Sequence, residues 1–161
     1  MLKNYVINGC ITAPGLAIGG GSKYTFKYGN TFQVRQNGKI SVATTTADAP
    51  ALTTAEASDG STPTTLAIDY NRIYTLLATV AADTGTVTFS LAVGADYTET
   101  RRPTMADVNF GNSADNDSQK AVVGFVLIKN TTNVFTPGST ALDASGVTCE
   151  YFDNIVGLLG M

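Results

Sequence analysis

Hydrophobic and polar residues alternate along much of this chain with a period of two, the signature of strands with one buried face. Three short strand-like runs come first, at Lys23–Tyr28, Thr31–Arg35 and Lys39–Ala43. The last two flank Gln36-Asn37-Gly38. Asn-Gly tolerates positive φ at both central positions of a tight turn, so these two runs are expected to form a hairpin. Phe32, Val34, Ile40 and Val42 alternate with polar neighbours and are expected on its buried face. Two further runs, Ile73–Val80 and Thr86–Val93, flank Ala81–Gly85. In the second, Val87, Phe89, Leu91 and Val93 alternate strictly with small or polar residues. Ala121–Ile128 is apolar throughout and short, which predicts a central strand covered on both faces. Val147–Phe152 reads as the last strand, and Thr104–Val108 as a single helical turn behind Pro103.

Between these runs the composition changes. Gly19-Gly20-Gly21-Ser22 reads as a flexible joint, which makes residues 1–22 an N-terminal arm and 23–161 one β-rich domain. Thr44 to Thr65 is Thr, Ala, Ser, Asp and Pro with almost no large apolar side chain, so an exposed loop or linker is expected over 44–65. Many short strands, turn signals between them and no long helical pattern define an all-β fold: a β-sandwich or jelly-roll-like module, or a small barrel.

Composition narrows the functional classes. Hydrophobic residues are 43% of the 161, enough for a real core, whereas charged residues are only 14% against the roughly 25% of ordinary domains. Thr, Ser, Asn, Ala and Gly cover the surface instead. The net charge of −3 argues against nucleic-acid binding, which needs clustered Lys and Arg. Arg101-Arg102 is the one tight basic pair, and it suits a solvated loop or an inter-subunit salt bridge. A weakly charged surface favours a protein that lives in an assembly, because little repulsion opposes association. The N-terminus has no apolar stretch of secretory type, and no run approaches the roughly 20 residues needed to cross a bilayer. The chain is therefore expected to be soluble, made in a cytoplasm and without a membrane partner.

Catalytic and metal chemistry find little footing. With no His, a His-based nucleophilic site cannot be built and zinc loses its commonest ligand. Cys10 and Cys149 stand near opposite ends, and both readings stay open: two free thiols, or one disulfide tying the ends together. Asp83-Thr84-Gly85 matches the tripeptide of aspartic proteases, and Ile155-Val156-Gly157 loosely matches the element that supports such loops. A turn between two strands wants the same Asp and Gly, and that reading is preferred. Asn112 to Ser118 groups oxygen ligands without the spacing or distal Glu of a calcium loop, so an exposed polar loop is expected. The expectation is a non-enzymatic protein with no catalytic residue, no metal and no cofactor.

Three stretches carry a resemblance. They are Ala82-Asp-Thr-Gly-Thr-Val-Thr-Phe-Ser-Leu-Ala-Val-Gly-Ala-Asp96, Ala121-Val-Val-Gly-Phe-Val-Leu-Ile-Lys-Asn130, and Phe135-Thr-Pro-Gly-Ser-Thr-Ala-Leu-Asp-Ala-Ser-Gly-Val-Thr148. In this order they resemble small virion proteins of tailed bacteriophages, those encoded near the major capsid protein and described as head decoration, cement or head-fibre proteins. The resemblance covers the C-terminal half and rests on strand-and-turn texture. It implies a homotrimer on the capsid surface of the virion, with the major capsid protein as partner and added interface area as the means of stabilising the shell. A head-fibre or tail-associated host-binding module is the alternative. Tyr5, Val6 and Ile7 are then the candidate capsid-docking residues, and Arg101 and Arg102 the candidate inter-subunit ones.

Overall fold

In a computed structural model the chain is nearly all β, and the structure describes residues 8–21, 23–43, 48–110 and 120–155. Among these, the strands are β1 (Gly9–Cys10), β2 (Leu16–Ile18), β3 (Phe26–Tyr28), β4 (Phe32–Gln36), β5 (Lys39–Ala43), β6 (Tyr70–Val80), β7 (Val87–Val93), β8 (Tyr97–Thr98), β9 (Ala121–Asn130) and β10 (Val147–Asp153). The helical content is two short 3₁₀ turns, Leu52–Thr54 and Met105–Asp107. A large mixed sheet runs in the order β5-β4-β1-β9-β6-β7, with β8 added to β6 and β10 to β9. β2 and β3 form a small second sheet, and the architecture is sandwich-like.

The central strand is β9. It pairs antiparallel with β6 along one edge, while β10 (antiparallel) and β1 (parallel, at Gly9 and Val122) share the other. Opposite Leu76 and Leu77 the register slips, because Leu76 pairs with Gly124 and Leu77 with Val122, leaving Val123 as an extra residue. That bulge changes which residues of β9 face inward. Ala121 before it, Val123 within it, and Val126 and Ile128 after it all lie in one core with Tyr74, Leu76 and Ala78 of β6. Without it, alternation would send one of these pairs to the opposite face.

The other inward faces follow from register. Val87, Phe89, Leu91 and Val93 of β7 all face or pack on this core, as their strict alternation predicts. Phe89 meets Tyr28 and Phe32 at ring-centroid distances of 4.7 and 6.0 Å, joining β3, β4 and β7 in one aromatic cluster. The sheet path curls until the β4–β5 hairpin leans on the β6–β7 end. There Gln36 Oε1 accepts from the Val80 N–H, Lys39 reaches the Ala82 carbonyl, and Gly85 lies against Ser41.

The structure corrects three expectations. The Asn37-Gly38 turn forms, with φ of 50° and 80°, but two turn residues pair Gln36 with Lys39, Arg35 with Ile40 and Gln33 with Val42. Ile40 and Val42 therefore share a face with Arg35 and Gln33, opposite buried Phe32 and Val34, and are 51% and 54% exposed. Secondly, residues 1–22 are not all an arm. Cys10 is fully buried in β1 and Leu16 largely buried in β2, where the Asp153 carboxylate accepts the Gly15 and Leu16 N–H groups at 3.0 Å each. Thirdly, the described part of 44–65 is not simply exposed. Leu52 and Ala55 are completely buried, and Glu56 bridges to Ala92 beside β7. A few small apolar residues suffice to seal a core edge, and composition hides them.

Both cysteines are free. Cys10 lies beside Val123, and Cys149 pairs with Ile128. Five residues of strand put them about 17 Å apart, far beyond the roughly 7 Å that a disulfide spans. Burial pushes the Cys10 thiol up to about 12, with nearby Asp153 adding to it, and burial pushes Cys149 up to about 11. Iodoacetamide at pH 8 is therefore expected to leave Cys10 unmodified in the native protein and to label it after denaturation, as peptide mass mapping would show. Native-state labelling of Cys10 would contradict this burial.

One buried charge closes an end of the core. Arg72 on β6 is 3% exposed and forks onto Asp96 at 2.6 and 2.9 Å. Its remaining donors reach the carbonyls of Thr64, at 2.7 Å, and Thr65. A planar guanidinium serves two other chain segments at once, with a bidentate fork that Lys cannot make. Arg72→Met strands Asp96 and two carbonyls, and is expected to cost about 3 kcal/mol, read as a lower urea midpoint at unchanged slope.

Candidate functional site

The outer face of β6, β9 and β10 is only half covered. By alternation, Asn71 and Ile73, Phe125, Leu127 and Lys129, and Glu150 and Phe152 all point away from the main core. The chain leaving β8 bends back over part of them, and between that loop and the sheet lies an open groove of about 660 Å³. Ile73, Tyr97 and Leu127 are buried at its floor as a small second core. Its rim is apolar and exposed: Met105 at 72%, Phe152 at 48% and Phe110 at 44%. Phe110 stands edge-on to Phe125, with ring centroids 6.2 Å apart and planes at 90°.

The overlying loop is held by a clasp that the sequence partly predicts. Met105–Asp107 makes the expected turn, and Asp107 is buried as its hub. Its carboxylate accepts from both terminal nitrogens of the Arg101 guanidinium, at 2.6 and 2.5 Å, and from the Thr104 backbone N–H and hydroxyl at 2.7 and 2.9 Å. Arg101 also lies over the Tyr97 ring, 4.8 Å from its centroid, which ties the clasp to the groove floor. The loop sits so close to Gly94 that a Cβ there would fall 1.8 Å from the Asp107 carbonyl oxygen.

Groove electrostatics are nearly neutral. Lys129 and Glu150 pair across β9 and β10, and Arg101 pairs with Asp107. At the floor, burial raises the Tyr97 phenol, partly opposed by the adjacent Asn71 amide, whose Oδ1 takes no donor among the described residues. An open apolar groove with most of its charges paired, and with Glu99 and Arg102 adding one charge of each sign, binds other apolar surface. Large exposed apolar patches of this kind mark interaction sites.

Of the sequence candidates, Arg101 and Arg102 both line this groove. Arg101 is engaged within the chain by Asp107, and Arg102 makes no ion pair among the described residues. Tyr5, Val6 and Ile7 lie outside the described residues, as do Asn112–Ser118 and the Val156-Gly157 element. Asp83-Thr84-Gly85 occupies the β6–β7 turn: Gly85 has φ of 71°, its N–H bonds the Ala81 carbonyl, and Asp83 is exposed. The groove residues Met105, Phe110, Phe125 and Phe152 were not singled out by the sequence. The signal available was faint, namely outward positions of two strands occupied by Phe.

No family model, no curated protein and no solved structure matches the chain. Among the described residues no helix is long and apolar enough to cross a membrane.

The clasp has a pH signature. Asp107 sits well below the usual carboxylate range, chiefly because Arg101 hydrogen-bonds its charged form, with the Thr104 donors adding to this. A depressed carboxylate stabilises the fold fully above its unfolded value near 4, and that contribution fades as pH falls towards the folded value. Arg101→Gln is expected to move the Asp107 carboxyl titration up towards the ordinary value, followed by carbon NMR. An unmoved titration would show that Arg101 does not hold it.

Proposed function

We propose that the chain is a non-enzymatic structural module that docks onto a larger assembly through this groove, and that the assembly is the outer shell of a tailed-phage head, in the manner of a decoration or cement protein. The observation that carries the docking half is the groove itself: exposed Met105, Phe110 and Phe152 around a floor fixed by a rigid sheet. The capsid half rests on the resemblance of the C-terminal strands and turns to such proteins, and the all-β fold supports it. A protein that binds only the assembled lattice stabilises it by mass action, so interface area is the mechanism and no reacting group is required. The major capsid protein is the proposed partner, with residues 1–7 as an additional docking arm.

The test mixes the purified chain with assembled heads and with unassembled capsid protein, and measures co-sedimentation. Saturable binding to assembled heads alone is expected. Met105→Asp and Phe152→Asp, each placing a charge on an already exposed side chain, are expected to weaken it at least about tenfold. Deleting residues 1–7 is expected to weaken it further. Binding confined to tails would transfer the protein to a fibre or host-binding role, and undiminished binding by both Asp variants would remove the groove from the interface.

A further inference from the structure

We infer that two copies of this chain pair edge to edge through β5, antiparallel about Ser41. This contact is separate from the groove and does not depend on the capsid reading. It starts from the hydrogen-bond phase of the β4–β5 hairpin. The Gln33 carbonyl is taken by the Ile11 N–H, so Gln33 faces β1, and the intervening residues Phe32, Val34 and Gln36 bond β5 through Ala43, Ser41 and Lys39. The two-residue turn requires the same phase. The N–H and C=O groups of Ile40 and Val42 are left pointing away from β4, and no hydrogen bond among the described residues engages them. Approach of the β6–β7 turn does not alter this, since it meets β5 through Ser41 and the Lys39 side chain, residues of the opposite phase.

The side chains of the same two residues make this edge unusual. Edge strands are ordinarily protected by charge, by Pro or by a bulge. β5 instead carries two β-branched apolar residues, both more than half exposed, with its one charge, Lys39, on the other face. A free row of backbone donors and acceptors accepts only another extended backbone, and here a second β5 fits by symmetry. Centred on Ser41, an antiparallel pair sets Ile40 opposite the partner's Val42 and Val42 opposite the partner's Ile40. Both belong to the free phase, so the two pairs close four N–H···O=C bonds and bring Ile against Val on the exposed face. Lys39 then faces the partner's Ala43 and Ser41 faces its own counterpart, so no like charges meet. The product is a continuous β4-β5-β5-β4 sheet across a twofold axis, an isologous contact in place of the trimer that the resemblance implies.

A five-residue edge buries less than the roughly 1,200 Å² of a stable interface, so the pair is weak in dilute solution and fills when copies are held close together. Sedimentation equilibrium from about 10 µM to about 1 mM is expected to show monomer giving way to dimer. Over the same range the Ile40 and Val42 amides are expected to gain protection from hydrogen exchange. Val42→Lys is expected to raise the dimer Kd at least about tenfold, since a charge on this edge is the usual guard against pairing. The double variant Ile40→Thr with Val42→Thr retains strand propensity and is expected to weaken pairing with unchanged circular dichroism. Met105→Lys, on the groove rim, is expected to leave the dimer unchanged. A monomer throughout, a trimer, or a dimer indifferent to Val42→Lys would overturn the inference. Head binding by Val42→Lys would show separately whether pairing matters to docking.

Discussion

Double-sided pairing of β9 is the constraint on which the rest of the structure depends. β6 occupies one of its edges, and β10 with β1 occupies the other, so both termini of the described chain and its longest strand meet on one backbone. Gly124 shows how tightly: a Cβ there would fall 2.5 Å from both Leu16 Cδ1 and the Phe152 carbonyl. The extra residue at Val123 then lets ten residues of strand serve one core despite the register slip. Remove the bulge, and the two-residue period sends half of the apolar run to the wrong face.

The two faces of that sheet carry different duties. The inner face is closed by the aromatic cluster of Tyr28, Phe32 and Phe89 and at one end by the Arg72 fork. The outer face is covered only where the loop after β8 is clasped down by Asp107, and the uncovered remainder is the groove. A chain with so few charges cannot hide apolar residues under long Lys and Glu stems. Among the described residues, half of the exposed large apolar side chains gather at two places, the groove rim and the β5 edge, with Tyr24, Ile68, Tyr70, Val134 and Ile155 elsewhere. The β5 edge sits on a strand, and the groove rim on β10 and on a loop held by the Asp107 clasp, which lowers the entropy lost when a partner covers them.

Strand identity and turn position were legible in the sequence because they are local. Alternation over 87–93, the apolar run at 121–128, Asn37-Gly38 and the turn at Asp83-Thr84-Gly85 each have a short-range cause, and each stands where its pattern put it. The same local reading went astray over Ile40 and Val42. Alternation says that two residues share a face along one strand, but which face that is depends on the partner's register, and the two-residue turn reversed it. Leu52 and Ala55 escaped notice for a related reason: burial of an isolated apolar residue is decided by where its segment crosses the sheet.

By itself, then, the sequence determined an all-β chain, its longer strands and the turns between them, and a surface poor in charge, since backbone preference and composition act within a few residues. The tertiary structure alone decided what that surface offers. Phe125, Phe152, Met105 and Phe110 are far apart in sequence and become one groove only because β9 and β10 pair in register and Arg101 holds the loop through Asp107. A groove is a relation between distant residues, and long-range pairing is what sets it.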